Sequence, residues 1–369
     1  MRVLHLTSSY PTPELPVAGV FVREHALAAA QHADVAVVHL DRREGWTRGP
    51  RIEAVAGEPL PTWRVTYPYR PLPLSLLLHA VGAVGGYRRA SFRPDLLHAH
   101  FFLAGLPAVA LGAALRKPVV VTEQWSIFLP SDPMPVTAPL RLAAKLAYER
   151  AAFVLPPSDA LRRGIEAQGI HARFRLVPNV VDTDVFRPGE PPRRDVPRLL
   201  AVGLLYEAKG YEFLLEAISL LERPLALEIV GDGPLRADLE RLVDRLGIRD
   251  RVVFHGLRPK DEVAGRMRDA DAFVLASRYD NNPSVLVEAL CTGLPVVATD
   301  VGGIPELVDE RSGLLAPPRD ARALAARIDE LLHGLERYDR AAIAAAASAR
   351  FGREPVGALL AETYREALR

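Results

Sequence analysis

Two apolar runs constrain what this chain can fold into. Arg2-Val-Leu-His-Leu-Thr-Ser-Ser-Tyr10 and Arg198-Leu-Leu-Ala-Val-Gly203 are apolar on successive residues, and each leads through a turn-rich loop into a helical pattern. A strand without polar alternation is buried on both faces, as in a parallel sheet covered by helices. Strands then alternate with helices in each half, so we expect two doubly wound α/β domains, Rossmann-like in form. The length agrees, because 369 residues with 49% hydrophobic content exceed the ~250–300 residues at which one core stops growing. The expected division is 1–181, a linker over 182–197 rich in proline and charge, 198–349, and a final helical segment over 350–369. A ligand belongs in the crevice between two such domains.

The chemistry concentrates in Ser277 to Glu306, where Asp280 and Glu288 stand either side of seven residues at a loop-to-helix junction. Ala272-Phe-Val-Leu-Ala276 ends a buried strand, and Asn281-Asn282-Pro283-Ser284 supplies a cap and a proline suited to a helix's first turn. Backbone N–H groups at such a start, Val285 included, attract phosphate. Glu288, one turn in, could accept both hydroxyls of a ribose, while Asp280 would face a sugar beyond the phosphates. An acid near a helix start is also what capping alone requires. Val301-Gly302-Gly303-Ile304-Pro305-Glu306 follows the next strand, and its glycines permit close approach of a ligand or positive φ.

This block resembles the donor site of retaining glycosyltransferases of the GT-B fold, family 4 (glycosyl transferases group 1). The resemblance implies that Glu288 holds the nucleotide ribose and that Asp280, where the family has Glu, lies near the donor sugar. It extends over nearly the whole chain. Gly203 to Ala217 is similar to the family's loop and Lys-Gly helix start, which makes Lys209 the pyrophosphate cation. The chain has only four Lys among 46 basic residues, so a lysine here departs from its habit of using arginine. The family's arginine after the first glycine is replaced by Leu204, with Arg258 or Arg278 as the stand-in. Glu228-Ile-Val-Gly-Asp-Gly-Pro resembles the next strand and turn, with Gly231 and Gly233 at a strand's carboxyl end, where open parallel sheets hold ligands. Val252-Val-Phe-His-Gly resembles the strand whose end contacts the base, placing His255 there in a packing or backbone role. Donor contacts are thus expected from Gly19, Gly203, Lys209, Gly231, Gly233, His255, Arg258, Asn282, Pro283, Ser284, Val285 and Glu288. The resemblance also implies that the last helix crosses back to the amino-terminal domain.

Position 124 departs from the pattern. The family's Thr-Glu-His-Trp reads Thr122-Glu-Gln-Trp125 here, and Gln124 can hydrogen-bond a sugar hydroxyl but cannot take a proton. Either the reaction needs no imidazole, or Glu123, His100 or His25 takes its place, or activity is reduced. His98 and His100 share one strand face, yet no further acid, His or Cys clusters with them in sequence, so no metal is expected. Asp182-Thr-Asp184 has a metal-binding spacing but reads as a linker turn, and Asp269-Ala-Asp271 as a helix cap.

A net charge of +1 and the absence of basic runs with aromatics argue against nucleic acid as a partner. One cysteine, Cys291, and no export signal point to the cytoplasm. Leu72 to Gly86 is apolar but too short to span a bilayer, and reads as a packed helix or, with Arg88, Arg89 and Arg93 behind it, as a peripheral surface at the inner membrane face. The expected function is metal-independent, retaining transfer of a sugar from a nucleotide diphosphate donor to a glycan or lipid-linked acceptor, with Asp280, Glu288, Lys209 and Gln124 as the central residues. Retention is expected through attack on the face the phosphate leaves, and a double displacement with Asp280 as nucleophile ranks lower. The alternatives are an epimerase of the same fold and a non-catalytic sugar-nucleotide-binding scaffold.

Overall fold

In the computed structural model, residues 1–70, 74–189 and 194–369 are described, apart from the side chain of Leu76. Residues 190–193 of the expected linker and Leu72-Pro73 lie outside them. The first unit comprises Met1–Phe128, Met134–Val180 and Arg353–Arg369, and the second Leu129–Pro133 and Val181–Gly352.

The first unit runs β1 (Arg2–Thr7), α1 (Val20–Ala30), β2 (Asp34–Arg43), β3 (Arg51–Ala54), β4 (Thr62–Pro68), α2 (Leu74–Ala90), β5 (Leu96–His100), α3 (Phe102–Leu115), β6 (Val119–Thr122), α4 (Ala138–Tyr148), β7 (Phe153–Leu155) and α5 (Asp159–Glu166). Its sheet has the order β3-β4-β2-β1-β5-β6-β7, parallel except for the β3–β4 pair. The second runs β8 (Arg198–Val202), α6 (Tyr211–Leu220), β9 (Ala226–Val230), α7 (Arg236–Leu246), β10 (Val252–Gly256), α8 (Lys260–Asp269), β11 (Ala272–Leu275), α9 (Ser284–Cys291), β12 (Val296–Thr299), β13 (Gly313–Ala316), α10 (Ala321–His333) and α11 (Arg340–Phe351). Its sheet, β10-β9-β8-β11-β12-β13, is parallel throughout. The last helix, α12 (Arg353–Ala367), packs on α1 in the first unit. Both units are the α/β domains of the GT-B architecture.

The apolar runs have the expected cause. In β8, Leu199 and Ala201 join one core of the second unit while Leu200 and Val202 join the other, so each successive side chain enters a different apolar layer. The central strands of both units are fastened alike. Asp95, just before β5, accepts the N–H of Arg2 at 2.8 Å, and Asp271, just before β11, accepts that of Arg198 at 2.7 Å. Asp271 therefore ties two strands together and caps no helix, contrary to the reading of Asp269-Ala-Asp271.

The order of strands reverses at β1/β5 in the first unit and at β8/β11 in the second. Loops leaving those strands in opposite directions open a crevice at their carboxyl ends. The start of the expected linker is packed: Phe186 lies in a core of the second unit, and Val185 O accepts from Arg268 at 3.2 Å. Among the described residues, no helix is long and apolar enough to cross a membrane.

Candidate functional site

The strand-order reversal of the second unit carries the ionisable pair that the sequence singled out. Beyond β8, a short 3-10 turn over Glu207–Lys209 leads to Gly210, whose φ is +58° and which begins α6. A Cβ at Gly210 would lie 2.2 Å from the carbonyl oxygen of Ala276, at the end of β11. Only glycine tolerates both the dihedral and the contact. The loop is thereby pressed against the β11 loop, and Arg278 N donates to Ala208 O at 2.8 Å. This places Lys209 Nζ 2.5 Å from Asp280 Oδ2. Ser277 Oγ donates to the same oxygen at 3.2 Å, and the Asn281 N–H to Oδ1 at 3.0 Å.

Helix α9 starts one loop further on. Pro283 is its cap residue, with φ −65° and ψ 116°, and makes no side-chain cap hydrogen bond. The Asn281-Asn282-Pro283-Ser284 stretch was expected to supply a cap and a first-turn proline; the proline itself occupies the cap position and has no side-chain acceptor to offer. Asn281 and Asn282 are buried beneath it, while Ser284, Val285 and Glu288 are half-buried, Glu288 on the second turn. Gly302 has φ +53°, and a Cβ there would fall 1.8 Å from Asp280 O, so the Gly-Gly block serves the chain's own close approach to the loop of Asp280.

The other glycines do similar work. A Cβ on Gly231 would lie 1.9 Å from Gly203 O, and one on Gly233 2.7 Å from Leu205 O. Backbone meets backbone there, with Leu205 N donating to Asp232 O at 3.0 Å. His255 shares a contact of 3.0 Å with Glu228, which also binds Arg198 at 3.0 Å and Arg266 at 2.8 Å. Burial, then the Arg266 guanidinium, lowers its pKa. Arg278 is held by Glu212, at 2.7 Å from its Nε, and by Glu207. Arg258 faces Glu262 at 3.6 Å. Of the expected cations, Lys209 is the one set beside Asp280.

In the first unit, Gln124 Nε2 donates to Asn179 Oδ1 at 2.7 Å, which leaves its Oε1 without a protein partner. The three residues that could replace an imidazole at 124 are all enclosed. Glu123 is fully buried and accepts from the backbone N–H groups of Phe102 at 3.0 Å, Gln124 at 2.9 Å and Trp125 at 2.7 Å, and from the Tyr148 hydroxyl. Burial raises its pKa against those four donors. His25 shares 3.1 Å with Pro178 O and is buried. His100 Nε2 lies 3.0 Å from His5 Nδ1. None is placed to exchange a proton with substrate, so Gln124 is the polar group available there. Gly19, with φ +63°, would put a Cβ 2.4 Å from Ser9 O, closing the first loop on itself.

The structure corrects one premise about His98 and His100. His5, register partner of His98 on β1, joins them, and ligand atoms of the three lie within 4.8 Å of one another. His98 has both nitrogens engaged, by Tyr364 Oη at 2.6 Å and Thr122 Oγ1 at 2.7 Å, whereas His5 Nε2 and His100 Nδ1 are buried without a hydrogen-bond partner among the described residues. Burial holds His5 down at about 3 and His98 and His100 well below the ordinary range. A polar residue in the middle of the β1 run was the signal for this cluster. Asp182 Oδ1 accepts from Asp184 N at 3.3 Å and Oδ2 from Lys260 at 3.2 Å, which is a turn. A cavity of about 630 Å³ lies between Pro305–Ser312 and α11 and is not lined by Lys209, Asp280 or Glu288.

Comparison with known proteins shows the family. Residues 196–334 match the family "Glycosyl transferases group 1", and residues 18–180 the family "Glycosyl transferase 4-like domain". This chain belongs to the group 1 glycosyltransferases. An alpha-D-kanosaminyltransferase of Streptomyces kanamyceticus is 30% identical over 73% of this chain and 77% of its own length. A putative colanic acid biosynthesis glycosyltransferase, WcaL, of Escherichia coli is 31% identical over 67% of this chain and 64% of its own length. The fold is shared with Anabaena HepE in complex with UDP, with a TM-score of 0.78, 20% identity and coverage of 99% and 100% of the two chains. As a group 1 glycosyltransferase the protein is a hexosyltransferase. Within that family, the Lys209–Asp280 pair and the start of α9 are its candidate donor-side elements.

Proposed function

We propose that this group 1 enzyme is a retaining, metal-independent glycosyltransferase that moves a sugar from a nucleotide diphosphate donor to a hydroxyl of a glycan or lipid-linked acceptor. Its setting is cell-surface polysaccharide or glycolipid synthesis, with peripheral contact at the inner membrane face. The observation that carries the reading is the Lys209–Asp280 pair, 2.5 Å apart, at the carboxyl ends of β8 and β11. The departing diphosphate takes Lys209 and the start of α9 as fixed positive groups, which replace a metal ion. Glu288 holds the ribose diol. Asp280, released from Lys209 by the phosphate, accepts hydrogen bonds from the donor sugar. Its two oxygens already hold Ser277 and Asn281 N, which suits an acceptor better than a nucleophile.

The acceptor oxygen then forms its bond to the anomeric carbon on the face from which the C–O bond to phosphate breaks. The acceptor proton passes to the departing phosphate oxygen, and no base is needed. Gln124, with Nε2 held by Asn179 and a buried Oε1 that has no protein partner among the described residues, is the uncharged group that accepts a substrate hydroxyl.

The test is transfer from UDP-, GDP- and ADP-sugars to cell-derived glycolipid acceptors in EDTA, with the anomeric configuration read by NMR. Transfer with the donor's configuration kept is expected. Inversion, a requirement for divalent metal, or a sugar trapped on Asp280 contradicts the mechanism. Donor consumption without acceptor indicates the epimerase, and binding without turnover the scaffold.

A further inference from the structure

Helices α2, α3 and α4 form an unusual face on the first unit. They pack side by side, and none contains an Asp or Glu although the chain has 45 acidic residues. Helix α2 buries Ser75, His79, Gly82, Ala83, Gly86 and Ala90 along one stripe. The opposite stripe, where an ordinary surface helix is charged, presents Leu74, Leu77 and Val81 at 46%, 60% and 51% exposure before Arg88. Leu142 on α4 is 57% exposed.

Leu77 and Val81 belong to one connected relief, and Leu142 stands one turn before Leu146, which lines it. A groove of about 520 Å³ between the three helices is lined by Leu77, Ala80, Leu106, Ala113, Leu146 and Arg150. Ala80 also lines the hollow that reaches Val81 and Arg88, and Ala113 and Arg150 line the one that reaches Lys117. Arg88 and Lys117 line this relief, with Arg89 and Arg116 next to them in sequence and Arg141 next to Leu142. Arg88, Arg89, Arg116, Lys117 and Arg141 form no ion pair with a carboxylate among the described residues, whereas arginine pairs are frequent elsewhere on the chain. Glu149, just past α4, lies 3.6 Å from Lys145 and is already the acceptor of the His171 N–H.

We propose that the α2–α3–α4 face docks on an anionic phospholipid surface, with Leu77, Val81 and Leu142 entering the headgroup boundary and Arg88, Arg89, Arg116, Lys117 and Arg141 meeting lipid phosphates. An apolar patch edged by unpaired cations fits an interface that is apolar inside and negative at its rim. A second copy fits badly, because a symmetric pair on this face would set arginine against arginine. The inference deepens the peripheral contact in the proposed function and names the surface that makes it.

The test is co-sedimentation of the full chain, without donor or acceptor, with phosphatidylcholine vesicles that lack or contain phosphatidylglycerol. Wild type should pellet with the phosphatidylglycerol vesicles, remain in solution with the neutral ones, and be released by high salt. Arg88→Glu with Arg89→Glu, and separately Leu77→Gln with Val81→Gln, should each weaken binding by roughly tenfold or more. These side chains are exposed, so thermal unfolding should match wild type; the salt arm needs no variant should one misfold. Absence of wild-type binding to anionic vesicles, or binding unchanged in both variants, overturns the inference. Vesicle binding without sugar transfer would sink the proposed function and leave this docking face standing, and transfer without vesicle binding would do the reverse.

Discussion

At the residue scale, Lys209 and Asp280 meet because a glycine follows the lysine and the acid's loop follows the neighbouring strand. The positive φ of Gly210 and its contact with Ala276 O set the lysine where the acid can hold it. Because both side chains remain partly exposed, Asp280→Asn should change stability by only about 1 kcal/mol, and differential scanning fluorimetry would check this. Turnover is another matter: Lys209→Ala should lose roughly a hundredfold in kcat, measured by nucleotide release. The buried histidines give the first unit a pH signature. Burial holds His25 at about 4 and His5 at about 3 against an ordinary value of 6.5. The unfolded chain therefore binds more protons below the ordinary value, and stability rises with pH there. Their contribution is fully present above 6.5 and is lost as pH falls toward the folded values. The unfolding midpoint should drop from about pH 7 to about pH 5, and drop less in His25→Gln. A midpoint that ignores pH in this window would refute the reading. Spacing shows only that His98 and His100 share a strand face; their partner His5 lies on another strand and is brought in by sheet register.

At the element scale, strands were the readable part, since burial on both faces writes itself as unbroken apolar runs in β8, β11 and β12. The antiparallel β3–β4 pair left no such mark: β3 is exposed or half-buried along its length. The linker reading overweighted proline and charge, for Phe186 and Val181 within and beside that stretch pack into a core. The start of α9 was misread by one position, because sequence shows that a proline is near a helix start but not whether it caps. Helix α12 shows what a single glycine can decide. Gly357 brings α12 so close to α1 that a Cβ would stand 2.4 Å from Ala28 O, so Gly357→Val should cost roughly 3 kcal/mol or more. Chemical denaturation would read this as a lower midpoint, and an unchanged midpoint would show that α12 is not held by that contact.

At the scale of the whole molecule, each unit repeats one device: an aspartate before the neighbouring strand, Asp95 or Asp271, fastens the first N–H of the central strand. Each opens its crevice at the same place in the strand order. That much was legible in the repetition of strand, loop and helix, because alternating elements permit few other folds. What distinguishes the two crevices is their side chains. The second unit sets a lysine, an acid and a helix start at its reversal; the first sets neutral Gln124 near fully enclosed histidines and Glu123. The proposed function requires the second unit's crevice to take the donor without metal. Calorimetric titration of UDP, GDP and ADP into the protein in EDTA, beside Glu288→Ala, tests it most directly. Binding by one nucleotide is expected, with a loss of about 10- to 100-fold in the variant, the worth of hydrogen bonds to a carboxylate. No binding by any of the three in EDTA, or equal binding by the variant, would contradict it.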